Sequence, residues 1–227
     1  MCPRRHFAWL VGLILFSARF ACAGRPMTTD DASITPLGQC QAQNWLQADR
    51  HAWEGWSLPA CTFLPAIELT AGGALHRGDG GGYQVASAQI KFLLRDESPG
   101  AWGFAASLGW SHVDAKDPAA SIDARPLNFI ASYRAADASY LLHVDVGMRR
   151  DAIANIERAT WGVAYERAPD ARLGGFVEAF GVQGEAPTLQ AGLRYDLVPQ
   201  RLSTNFTVGA QCRSGLRDPF ITLGFNL

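Results

Sequence analysis

Residues 219–227 read PFITLGFNL, and that stretch sets how the rest is understood. Ile221, Leu223, Phe225 and Leu227 alternate with Thr222, Gly224 and Asn226. A period of two marks a strand with one apolar face and one small, polar face. The pattern runs to the final residue. An end strand is held only if it pairs, and a closed sheet would pair it with the first strand.

Upstream, the same alternation recurs. In 101–113, Trp102, Phe104, Ala106, Leu108 and Trp110 share one face, with Gly103, Ala105, Ser107, Gly109 and Ser111 on the other. Trp102 and Trp110 stand eight residues apart, roughly 20 Å along a membrane normal for a strand tilted near 40°. They are the candidate membrane-interface aromatics, at the edges of an apolar band. In 139–149, Tyr140, Leu142, Val144, Val146 and Met148 oppose His143, Asp145 and Arg149. In 188–197, Leu189, Ala191, Leu193 and Tyr195 oppose Gln190, Arg194 and Asp196. The strand at 173–183 has ambiguous faces, because Glu178 lies between Phe176 and Phe180.

These strands predict an all-β fold, an antiparallel up-and-down transmembrane β-barrel of about twelve strands over residues 39–227. The count falls to ten if the hairpin of 39–61 stays outside. Brief connections (TFL, DESPG, AADA, PDAR and VPQ) should alternate with mostly longer ones (RGDGGGY, DAKDPAASIDA, DAIANIE, GEAP and RSGLRD), as in outer-membrane barrels. A soluble β-sandwich also alternates, but its polar face would be solvated. Here that face is rich in Gly, Ala and Ser, which suits a confined lumen.

The amino-terminal sequence adds the compartment. Arg4 and Arg5 precede an apolar run from Phe7 to Phe16, and Ala21-Cys22-Ala23 fits a cleavage site. Residues 1–23 therefore read as a secretory signal peptide, too short in its apolar part to span a bilayer. Residues 24–38 read as an irregular periplasmic lead-in. Only 18% of residues are charged, against 23 Gly, 7 Trp and 12 Phe. That balance suits strands that are only half apolar. A net charge of −1 gives no footprint for nucleic acid.

In an oxidising compartment two of the three remaining cysteines should pair. If the chain reverses at Arg50-His51, Cys40 faces Cys61 and Trp45 faces Trp56. Cys40–Cys61 is therefore the expected disulfide, and Cys212 is left as a buried or lipid-facing thiol. Pro59 sits awkwardly in that hairpin, because it cannot donate to a ladder.

The closing strand resembles the C-terminal signature of bacterial outer-membrane β-barrels, with Leu227 where Phe is usual. That resemblance implies the outer-membrane lipid and the barrel-assembly machinery as partners. The segments RPMTTDDA (25–32), GQCQ (38–41), LPAC (58–61) and LVPQR (197–201) resemble a group of functionally uncharacterised proteobacterial outer-membrane barrels. Their pattern is RP-[LM]-x-TDDA, G-x-CQ-x-E-x-W, PAC and LVP-x-R, from which Gln43 departs. The resemblance implies fold and location and supplies no mechanism.

The polar faces offer Glu68, Lys91, Arg134, His143, Asp145, Glu166, Glu178, Arg194 and Asp196 as lumen-lining candidates. The plain reading is a network that neutralises buried charge. His143 and Asp145 share a face, so an outer-membrane hydrolase with His143 as general base is the sharper alternative. No serine stands in a recognisable nucleophile motif. The histidines lie on separate segments without ligand spacing, and no cofactor or metal is implied. Eight-stranded barrels are filled by side chains and sixteen-stranded ones are open. Twelve strands thus suggest a narrow passive pore for small polar solutes or ions. The alternative is a structural or partner-binding barrel with a plugged lumen.

Overall fold

The computed structural model describes residues 27–115, 122–152, 155–167, 172–199, 201–212 and 218–227. The expected signal peptide of 1–23 lies outside them, as do residues 116–121, most of PDAR and most of RSGLRD. Twelve strands follow in order. They are β1 (Cys40–Ala48), β2 (Ala52–Leu64), β3 (Ile67–Gly78), β4 (Gly81–Arg95), β5 (Trp102–Ala115) and β6 (Ile122–Arg134). Then come β7 (Tyr140–Asp151), β8 (Ile156–Arg167), β9 (Leu173–Val182), β10 (Thr188–Val198), β11 (Leu202–Gln211) and β12 (Pro219–Asn226). Each pairs antiparallel with its sequence neighbours, and β12 returns to β1. The sheet is a closed barrel without edges, which removes the sandwich alternative.

The β1–β12 seam follows the alternation of residues 219–227. Gln43 faces Asn226 and Ala48 faces Ile221, while Ala42 and Leu227 exchange backbone bonds of 2.9 and 3.0 Å. Thr222, Gly224 and Asn226 are buried inward, and Ile221, Leu223 and Phe225 are exposed outward. Across the barrel the large apolar residues face out, with Leu193 59% and Phe129 55% exposed. A water-facing surface of that kind would be unstable against association, whereas a hydrocarbon surround suits it. Trp102 and Trp110 both lie on this outward face. Trp102, Tyr133, Tyr140 and Tyr165 form a run of neighbouring rings across β5 to β8, with centroids 5.4 to 6.3 Å apart.

The hairpin of 39–61 belongs to the barrel. Cys40 pairs with Cys61 in register and by a disulfide, and the Trp45 and Trp56 rings stack 5.4 Å apart. Pro59 is accommodated inside β2. The β2–β3 register passes from Ser57–Gly73 to Ala60–Thr70 around it.

Three expectations about connections need correction. Thr62, Phe63 and Leu64 are strand, and the turn is Pro65-Ala66, with Ala66 at φ 62°. The glycine-rich RGDGGGY is a two-residue hairpin on Asp79-Gly80, closed by Gly78 facing Gly81. Asp-Gly is a strong signal for a tight hairpin turn, and it outweighs the run of glycines. Strands likewise take up part of the expected longer loops, since β6 starts at Ile122 and β7 runs to Asp151. The contrast between short and long connections is therefore weaker than the sequence suggests.

Candidate functional site

Residues 27–35 were expected as part of a periplasmic lead-in; in the structure they cross the lumen. Met27, Thr29, Ala32 and Thr35 are all buried against the inner wall. At one end the Thr35 amide and hydroxyl donate to Glu68 Oε2 on β3, at 2.7 and 2.5 Å. At the other, the Thr28 and Thr29 amides donate to Glu178 Oε1 and Oε2 on β9, at 2.8 and 2.9 Å. β3 and β9 are six strands apart in a ring of twelve, so they are diametrically opposed. Seven residue steps span at most about 23 Å when extended, comparable to the ~24 Å backbone diameter expected for twelve tilted strands. The segment is a crossbar.

Between its ends the crossbar is held by its backbone. The Asp30 amide donates to Asp145 Oδ2 at 2.6 Å, and the Ala32 amide to Ser132 Oγ at 2.8 Å. Wall acceptors thus capture the amides of five crossbar residues, which an extended segment could not bond within itself. Side chains add packing. Met27 joins Ala164 and Phe176, and Ala32 joins Ala105 and Ile130, in the buried apolar clusters of the lumen. Lys91 Nζ lies 3.1 Å from Asp30 Oδ1 and 3.8 Å from Asp31 Oδ1. Thr29 rests on Gly162, where a Cβ would come within 2.6 Å of the threonine hydroxyl.

This contact explains the ambiguous faces of β9. Phe176 and Glu178 both point inward, one onto Met27 and the other onto the amides of Thr28 and Thr29. An aromatic ring on the lumen side is stable here because the crossbar covers it.

The sequence candidates separate into tiers. Glu68, Lys91, His143, Asp145 and Glu178 meet the crossbar or its direct partners. Glu166 and Arg194 stand beside them, with Arg194 Nη1 3.6 Å from Glu166 Oε2. Arg134 pairs with Glu97 near the end of β6. Asp196 is half-buried on β10. The candidate set lacks Ser132, Asp30 and Asp31, and also Gln190, an inward residue of β10 whose amide donates to Glu178. The available signal was the pair Asp30-Asp31 between threonines, a polar run whose amides need acceptors once it is buried.

Ser132 completes a chain of contacts that resembles hydrolase machinery. Its Oγ is 2.7 Å from His143 Nδ1, and His143 Nε2 is 3.1 Å from Glu166 Oε1. A nucleophilic serine needs open approach and amide donors around the developing oxyanion. Ser132 is 0% exposed, and the neighbouring Ala32 amide is spent on Oγ itself. In this arrangement the chain Arg194–Glu166–His143–Ser132 orients an acceptor for the crossbar.

This edgeless twelve-stranded barrel, apolar outside and polar inside, shares its fold with several solved outer-membrane porins. It is similar to the KdgM porin (TM-score 0.61, 8% identity, covering 82% of this chain and 97% of that one). It is also similar to the NanC porin (TM-score 0.61, 8% identity, 82% and 98%). A third likeness is to Omp33 of Acinetobacter baumannii (TM-score 0.54, 9% identity, 83% and 97%). The chain belongs to the family described as "uncharacterised conserved protein UCP029691", whose model matches residues 11–227. No curated protein matches it by sequence.

Proposed function

We propose that this protein is an outer-membrane β-barrel that forms a narrow passive pore for small polar solutes or ions, restricted by its own residues 27–35. The observation that carries the reading is the inside-out wall: exposed apolar side chains outward, and Glu68, Lys91, Asp145 and Glu178 buried inward. A wall that only had to fill space would be more stable apolar, since burying charges costs more than burying methylenes. The porin fold of KdgM supports it, and a KdgM porin holds disordered oligogalacturonate, so a barrel of this design can admit a polar chain. The signal peptide read in 1–23, together with that fold, supports the exported position.

The crossbar favours a second reading, a structural or partner-binding barrel with a plugged lumen, because it reaches from β3 to β9. Purified protein in planar bilayers separates the two. Small conductance steps are expected from the wild type. Larger ones are expected from Gly162→Leu, which pushes Thr29 off the wall. Folded samples of both proteins that give no steps would refute the pore and leave the plugged barrel.

A further inference from the structure

A furrow runs along the outer, apolar face of β8 to β11. Small and large residues are paired across its strands: Gly175 faces Leu193, Val177 faces Ala191 and Ala179 faces Leu189. The small residues lower the floor, and the exposed side chains of Leu193, Phe206 and Val208 stand as walls. Two adjoining cavities of about 550 Å³ each make up the furrow, joined through Tyr165, Val177, Ala191 and Val208.

One end of it is chemically different. In the cavity that reaches Arg167, the only lining residues with polar side-chain atoms are Arg167 and Tyr165. Arg167 closes β8 at the end of the barrel where β1 begins and β12 finishes. Tyr165, the outward residue before it, belongs to the run of rings that starts at Trp102. Such a girdle marks where hydrocarbon gives way to headgroups, so Arg167, two residues further on, stands at headgroup level. It is exposed and faces Tyr140 across the β7–β8 pair. No hydrogen bond or ion pair engages its guanidinium among the described residues. Asp137, the carboxylate that feels its charge, is already bonded by the amide and hydroxyl of Ser139.

The geometry points to a phospholipid seat: an acyl chain lies in the furrow and its phosphate meets Arg167. A chain in the furrow touches protein on its floor and both sides, whereas on a smooth wall it touches one side. A guanidinium fits phosphate oxygens as a bidentate donor, and a pair at the edge of the hydrocarbon is screened less than one in water. A second copy of the chain is less suited. A two-fold axis through the furrow would set the two Arg167 side chains together, like charge against like charge. The inference goes beyond the pore reading and holds for a conducting or a plugged lumen alike.

Native mass spectrometry of the protein in dodecyl maltoside, titrated with palmitoyl-oleoyl phosphatidylglycerol, tests it. The wild type should hold one tightly bound phospholipid. It should bind the phosphate-free diacylglycerol of the same chains about tenfold more weakly, and Arg167→Gln should weaken phospholipid binding by a similar factor. Gly175→Leu should abolish tight binding. A Cβ at Gly175 would meet Leu193 Cδ2 at 3.5 Å and the Gly192 oxygen at 3.6 Å, both ordinary contacts, so the barrel folds while the longer side chain fills the furrow. Ala106→Leu, on the outward face of β5 beside Phe129, should bind as the wild type does. The heat-dependent gel shift checks that each variant is folded. Equal binding by all four proteins, or Arg167→Gln binding as tightly as the wild type, would overturn the inference. A lipid-free wild-type dimer that Gly175→Leu dissociates would assign the furrow to a second copy, and would overturn it as well.

Discussion

The firmest consequence of the crossbar concerns Glu178. Its two oxygens accept the Thr28 and Thr29 amides at 2.8 and 2.9 Å, and Gln190 donates a third bond. In Glu178→Gln one oxygen becomes an NH₂ group that faces a donor, so one amide loses its acceptor. A hydrogen bond to a charged group contributes about 1.5–3 kcal/mol net. Losing one should raise the open population of this end of the crossbar by roughly 10- to 100-fold, at 1.4 kcal/mol per tenfold. Amide hydrogen exchange reads that change directly. Protection at Thr28 and Thr29 should fall by this factor. The Thr35 amide, held by Glu68 across the lumen, should lose less. The heat-dependent gel shift of the barrel should persist, because no strand pairing is touched. Unchanged protection at Thr28 and Thr29 in a folded barrel would refute the claim that Glu178 holds the crossbar.

Other outcomes follow from the wall. Cys40→Ser with Cys61→Ser opens a link between residues 21 apart; it should cost up to about 3 kcal/mol and lower the temperature at which the folded band is lost on gels. A chain ending at Gly224 loses two of the six β1–β12 register pairs and the Ala42–Leu227 bonds. It should yield a much smaller folded fraction in lipid, and normal assembly would count against closure through that seam. In the β1–β2 turn, the amide of His51 and then that of Ala52 donate to Asp49, which holds its carboxyl below the ordinary 3.8. A depressed carboxyl stabilises the turn above its unfolded value, and that contribution disappears as pH falls through the folded one. Carboxyl titration by carbon NMR should place Asp49 below 3.8, and a value at or above it would contradict the turn geometry.

Much of the barrel was legible in the sequence because its wall obeys local rules. Side-chain alternation fixes which residues of β5, β7, β10 and β12 face outward whatever the neighbours are. A tight reversal at Arg50-His51 fixes the register that joins Cys40 to Cys61. Connections were less legible, since the glycines around Asp79 read as a loop until the Asp-Gly hairpin closed them. β9 could not be oriented from its own residues, because its inward Phe176 is stable only under Met27.

What the sequence by itself determined was therefore the wall: the strands, their outward apolar face and the closing strand around Ile221 and Phe225. Only the tertiary structure decided what the lumen contains. Thr35 meets Glu68 across 33 residues of chain, Ala32 meets Ser132 across 100, and Thr28 meets Glu178 across 150. Contacts at such separations leave no periodic trace, because they arise only when closure brings opposite walls around one segment.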